Sequence, residues 1–254
     1  FWLKFVDLFH DFPATTCRTS QALPRAMRAA DIRGPLQLGA GPGGDSSATN
    51  YVSEGVADTY SALAEDQSLK KQEKEAAYLL SMTEGHLMDG DGDAALEAAE
   101  QCLDKLKGFD GSTTYETDAL RFAVQARCFR GERKAALLMA EEELERFQDK
   151  GDKRGQASML LAAAEATYEA LGGNLDEALQ AATEARKLSK ELDDARLEAA
   201  SLLCQADIHI KQAMNRGVNF KKTLQLGRSA AETALDIARN AKDKRMQAKS
   251  LRVL

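Results

Sequence analysis

An all-α fold is what the sequence predicts: an α-solenoid of antiparallel helix pairs behind a largely irregular N-terminal segment. Three observations carry that prediction. Asp110, Asp152, Asp194 and Asp243 stand at matched places, 42, 42 and 49 residues apart, and a Gly-x-x-x-x-Ala-Leu segment recurs before and between them. Good helix formers (Ala, Leu, Glu, Lys, Gln, Arg) dominate, with only four prolines. Hydrophobic content is 44% but aromatic content only 6%, which points to Ala/Leu packing between closely spaced helices. Self-similarity at this period means that each unit buries its apolar face against its neighbours. A binding scaffold is the default for such a chain.

Residues 1–50 read as an irregular segment. Phe1, Trp2, Leu3, Phe5, Val6, Leu8 and Phe9 form an aromatic-rich run, followed by Arg18, Arg25, Arg28 and Arg33 among Ser, Thr and Ala. That texture loosely resembles an organelle transit peptide, although Asp7, Asp11 and Asp31 depart from it. Gly34 to Asn50 is a Gly/Pro/Ser linker. Within residues 51–68 a capping helix is expected at 53–66, with Val56, Tyr60 and Leu63 on one side. From 69 the pattern predicts helix pairs at 69–88 and 93–107, 112–129 and 132–149, 153–171 and 174–191, and 194–213 and 221–241. Residues 243–254 open another unit, about four and a half in all. Beginning at Phe1 and ending inside a unit, the sequence reads as a fragment, with more units expected beyond it.

Each first helix is introduced by a phased aspartate, or by Asp66 or Ser68 in the first unit. The carboxylate there accepts a hydrogen bond from amides left unpaired at the helix start. Three copies extend to Asp-x-Arg-x-Gln/Glu-Ala, at Asp152-Arg154, Asp194-Arg196 and Asp243-Arg245. Gly90, Gly131 and Gly173 precede the second helices, followed by Ala95, Ala136 and Ala178 and then by Ala99, Ala140 and Ala182. Small residues at i and i+4 let two backbones approach, and the glycines permit tight turns.

This arrangement resembles the tetratricopeptide repeat over residues 69–254. Ala95, Ala136 and Ala178 match the first Ala of that family's second helix, and Ala185 and Ala234 the last. The units are 41–42 residues long, nearer to the long variants of kinesin light chains and the Leu-Gly-Asn mitotic adaptors. The resemblance implies a concave groove, lined by first helices, that holds extended or helical segments of partner proteins. By register it places Leu80, Glu84 and Leu87 in that groove, then Arg121, Gln125 and Cys128, then Ala163 and Thr167, then Gln205, His209 and Gln212. Glu84, Arg121, Gln125, Thr167, Gln205, His209 and Gln212 are the polar candidates for partner contact. The groove lacks the Lys/Asn/Arg set with which chaperone-associated repeats grip a C-terminal carboxylate.

Charge is unevenly spread. The net of −6 combines 5 basic and 8 acidic side chains over 1–66, 18 and 29 over 67–210, and 11 and 3 over 211–254. One end is therefore acidic and the other basic, which suits an acidic partner or self-association end to end. Arg216, Phe220, Lys221 and Lys222 form a basic insertion and a second candidate contact. One aromatic among these cations falls short of the stacking platforms that RNA-binding surfaces carry, so nucleic acid is the lesser reading.

Two motifs point elsewhere. Asp89, Asp91, Asp93 and Glu100 match positions 1, 3, 5 and 12 of an EF-hand loop, an oxygen set suited to calcium. Position 6 is Ala94 where such a loop needs Gly, and the segment lies in register with the repeat turns. An interhelical turn is the competing reading. Gly39-Ala-Gly41-Pro-Gly-Gly44 matches a dinucleotide fingerprint, but no βαβ unit surrounds it. His10, His86 and His209 show no metal-ligand spacing, and no nucleophile elbow or phosphate loop appears. No enzyme and no cofactor are expected. The four cysteines form no Cys-x-x-Cys pair, no glycosylation sequon occurs, and no apolar run is long enough to span a bilayer. An intracellular, most simply cytoplasmic, protein that scaffolds other proteins is the reading these features support.

Overall fold

The computed structural model describes residues 58–109, 113–170, 172–216 and 220–254. The aromatic run, the Arg-rich stretch, the glycine fingerprint, residues 53–57 of the expected capping helix, and Asp110 lie outside them. Within the described residues the chain is all-α, and no helix is long and apolar enough to cross a membrane. Ten helices follow one another: α1 Thr59–Glu65, α2 Lys71–Asp89, α3 Gly92–Leu106, α4 Thr113–Phe129 and α5 Arg133–Asp149. They continue with α6 Lys153–Glu169, α7 Leu175–Glu191, α8 Ala195–Arg216, α9 Phe220–Asn240 and α10 Lys244–Val253.

The capping residues explain most boundaries. Asp152 accepts from the amides of Arg154 and Gly155, Asp194 from that of Leu197, and Asp243 from that of Met246. Each thereby pairs donors that the first helical turn leaves open. The first unit differs from the expectation. Asp66 closes α1 and binds Ser68, while α2 starts after Lys70, whose amide donates to the Glu73 carboxylate. The preceding helix ends need a left-handed residue, which Gly151 supplies before Asp152 but Asp193 and Lys242 supply before Asp194 and Asp243. The extra residues of the fourth unit partly lengthen α8, which runs 22 residues to Arg216. The Arg216 side chain and residues 217–219 lie outside the described residues.

Every helix packs on its chain neighbours, and short connections make those neighbours antiparallel. The even-numbered helices also pack on one another in succession, α2 on α4, α4 on α6, α6 on α8 and α8 on α10, whereas the odd-numbered helices from α3 to α9 do not. The even-numbered set is therefore the inner layer. Its second member, α4, is buried along nearly its whole length from Tyr115 to Cys128. This contiguous stacking is compatible with a helical repeat.

The core is built of small side chains. Ala76, Ala95, Ala99, Ala119, Ala136, Ala140, Ala157, Ala162, Ala182 and Ala185 are wholly buried and let helix axes approach. Larger groups fill the gaps that alanines leave: Phe122, Phe147, Met159 and Leu161 are also wholly enclosed. Free Cys102, Cys128 and Cys204 are buried among them, and burial pushes the Cys102 and Cys128 thiols up to about 12. They pack as small apolar groups. Phe147 of α5 covers Gly155 so closely that a Cβ there would lie 2.2 Å from the ring. Gly155→Ala is expected to lower unfolding stability by about 1–3 kcal/mol, as overpacking does, measured by urea titration. An unchanged midpoint would show that the Phe147 ring moves freely.

Candidate functional site

The inner layer holds a relay of arginines and aspartates. Asp194 and Asp243 each use one oxygen for their own helix and the other for the Arg that lies two residues beyond the preceding cap. Asp194 Oδ1 accepts from the Leu197 amide while its Oδ2 accepts from Arg154 Nε, both at 3.0 Å. Asp243 Oδ1 accepts from the Met246 amide at 2.8 Å, and its Oδ2 from Arg196 at 2.6 Å. Arg245, the next arginine of the series, reaches Asp58 Oδ2 at 2.6 Å. Asp58 Oδ1 accepts from the Ser61 amide at 2.7 Å, capping α1. Asp58 thus serves Arg245 as Asp243 serves Arg196.

These arginines also reach across the interior. Arg154 donates to both Asp118 oxygens at 3.1 Å, and Arg196 to Glu84 Oε2 at 2.8 Å. Arg245 donates to the Ser81 carbonyl at 2.7 Å, and Lys249 to Glu84 Oε1 at 2.6 Å. Glu84 is 0% exposed. Burial alone would raise its carboxyl, but Arg196, Lys249 and Arg245 outweigh burial and hold it far below the usual carboxylate range. Asp118 is likewise held low, burial opposing and Arg154 prevailing. Such pairs add little over an apolar core, but losing one partner strands a buried charge at a cost of about 3–5 kcal/mol.

Tyr60 of α1 inserts into this network. Its ring meets Phe122 edge-on with centroids 6.0 Å apart, the Arg196 guanidinium lies 4.0 Å from its centroid, and its hydroxyl donates to Asp118 at 2.7 Å. Burial raises the phenol well above its ordinary value, so it stays a donor.

Beyond the C-terminal ends of these contacts the inner layer opens into a cavity of about 570 Å³, lined from all five of α2, α4, α6, α8 and α10. Leu87 and Met88, Leu203 and Cys204, and Met246 and Val253 supply apolar wall, and Met88 is 44% exposed at its edge. Arg121 packs on Phe122 and binds Glu165 at 3.2 Å, leaving its buried Nε without an acceptor among the described residues. Burial raises the Glu165 carboxyl despite Arg121 and Gln125. Asp207 is pushed up to about 6, chiefly by burial, with Arg252 opposing.

The expected groove residues do not share one place. Glu84 lies in the buried network, and Arg121 and Gln125 line the cavity together with Leu87 and Cys128. Gln205 donates to the Ala182 carbonyl and Gln212 to Asp176, so both face α7. His209 bonds Gln212 and lies beside Gly227 of α9, and burial lowers its pKa. Thr167 is half-buried on α6 outside the cavity lining. Leu80 is core. The face of α8 that looks inward carries Arg196, Ala200, Leu203, Cys204 and Asp207 instead. Phe220, Lys221 and Lys222 are exposed on the first turn of α9.

The acids of the calcium-like motif are not gathered. Asp91 caps α3, Asp93 pairs with Arg130 at 3.1 Å and Glu100 with Arg127 at 3.6 Å, because α3 begins at Gly92 and carries Glu100 two turns away. Among the described residues no group of three or more ligating side chains is placed to hold a metal ion.

Sequence reasoning missed Arg154, Arg196 and Arg245 as interior groups, although their repetition two residues after each cap was visible. Glu165 and Asp207 had no such signal. Compared with protein-family models, characterised proteins and solved structures, the chain finds no significant match.

The lowered pKa values of Glu84 and Asp118 make their contribution complete above about 4.5 and 3.8, their ordinary values, and lost as pH falls below. Asp207 has the opposite sign: its ionisation above about pH 6 is unfavourable, and stability returns as pH falls towards 3.8. Melting temperature should therefore be highest near pH 4.5 and fall as pH rises to about 6, above which Asp207 adds no further slope, and Asp207→Asn should flatten that fall. A monotonic rise from pH 4 to pH 8 would contradict these environments. At pH 7, Glu84→Gln is expected to cost about 3 kcal/mol by denaturant titration, and a loss under about 1 kcal/mol would show that its cations find solvent.

Proposed function

We propose that this chain is a non-catalytic helical-repeat scaffold, a tetratricopeptide-like solenoid whose inner helices bind a segment of a partner protein. The observation that carries this reading is the open cavity to which all five even-numbered helices contribute. A site assembled from five units suits a ligand that runs along the inner layer and meets several helices in turn. Its chemistry is mixed in the way peptide recognition requires. Met88, Leu203 and Val253 offer apolar area, while Gln125, Glu165 and Asp207 offer acceptors and donors. The buried Arg121 Nε is a donor that a peptide carbonyl would satisfy. Phe220, Lys221 and Lys222 form a second contact for an acidic surface. Lysines at a helix N-terminus gain nothing from the helix dipole, and these two have no partner among the described residues.

The test is selection of peptides from a displayed random library on the full chain, followed by calorimetric titration of the selected sequences. Met88→Ala, Gln125→Ala and Arg252→Ala together, all at partly or fully exposed lining positions, should weaken binding about tenfold or more in a chain that circular dichroism shows to be folded. Equal affinity of the triple variant would place recognition elsewhere on the molecule.

A further inference from the structure

The part of the inner layer that the open cavity leaves free is filled by the chain's own α1. Three consecutive residues make the contacts. Asp58 receives Arg245 and the Ser81 hydroxyl, Thr59 donates to Asp243 at 2.9 Å, and Tyr60 reaches Asp118, Phe122 and Arg196. Four of the five inner helices, α2, α4, α8 and α10, are thus read by a segment at the start of a seven-residue helix. A helix of that length is unstable in isolation, so what holds it is the surface it sits on. The link to α2, residues 66–70, is mostly exposed and adds little hold of its own.

The same chemistry recurs along the relay. Arg154 and Arg196 each take the capping Asp of a following first helix, and Arg245 takes the capping Asp of α1. The layer therefore presents an arginine ready for the N-cap aspartate of an incoming helix, with an aromatic slot and a buried acceptor beside it. We infer that the seat of α1 is a recognition site for a short helix opening with Asp-x-Tyr, filled here in cis and open in trans to a partner segment of that chemistry. The aspartate supplies charge to Arg245, and the tyrosine supplies a ring for Phe122 and Arg196 and a hydroxyl for Asp118. This goes beyond the open cavity and does not require it to be occupied.

The experiment uses the full chain carrying Asp58→Ala and Tyr60→Ala, which empties the seat and leaves the inner helices intact. The probe is a fluorescein-labelled peptide with the sequence of residues 54–66, followed by fluorescence anisotropy. The double variant, shown helical by circular dichroism, should bind the peptide about tenfold or more tightly than the wild type. Peptides with the Asp or the Tyr replaced by Ala should lose that gain, while Met88→Ala, Gln125→Ala and Arg252→Ala added to the chain should not remove it. Equal binding by wild type and double variant, or by replaced and unreplaced peptides, would overturn the inference. Should the double variant fail to fold, a site-specific protease sequence placed within residues 66–70 of the otherwise wild-type chain lets α1 be cut free. Exchange of the cut piece for excess labelled peptide supports the site, and its retention against excess peptide overturns it. A wild-type dimer that grows with concentration and is abolished by Tyr60→Ala would mean that copies exchange α1 with each other, overturning the partner reading.

Discussion

Arg196 is the residue on which the arrangement of the inner layer turns. It stands near the start of α8, yet it binds Glu84 of α2, Asp243 at the head of α10 and the ring of Tyr60 in α1. Four helices from opposite ends of the described chain meet at one guanidinium. Arginine suits this place because its planar fork can satisfy two carboxylates at once and still stack on an aromatic face. A lysine there would hold one carboxylate and leave the other buried without a partner. The small core residues depend on this centre, since alanine-rich helices supply close approach but few directional contacts.

Stability and recognition draw on the same groups. Every carboxylate of the buried network has a cation beside it, so the network contributes specificity of docking between helices more than net stabilisation. The cavity beside it is the opposite case, where burial raises the carboxyls of Asp207 and Glu165 against the cations near them. Binding sites commonly keep such incompletely matched groups, because a ligand can supply what the protein lacks. Charge along the sequence, acidic over most of the array and basic after 211, enters this picture locally. Lys249 and Arg245 from the basic end are spent inside the fold on Glu84 and Asp58.

Periodicity in the sequence was read correctly for the helices. The boundaries of α2 to α10 fall within a few residues of those expected, because caps and apolar spacing act over one or two turns. The facing of α8 was read by register from a family groove, and there the reading and the structure part. Gln205, His209 and Gln212 turn towards α7 and α9, whereas Arg196 and Asp207 turn inward. A rotation of one position about a helix axis is enough to exchange those faces. Nothing local to α8 specifies it, since both faces carry small and polar residues.

What the sequence determined by itself is the all-α class, the positions of α2 to α10 among the described residues, and the aspartates that start α6, α8 and α10, because hydrogen bonding and side-chain spacing within a turn decide these. Tertiary structure alone decided that Glu84 meets Lys249 across 165 residues, that α1 takes the place beside Arg245, and that one cavity gathers side chains from five helices. Those contacts depend on how small increments of helix-on-helix packing accumulate through the array, and no short stretch of sequence holds that sum.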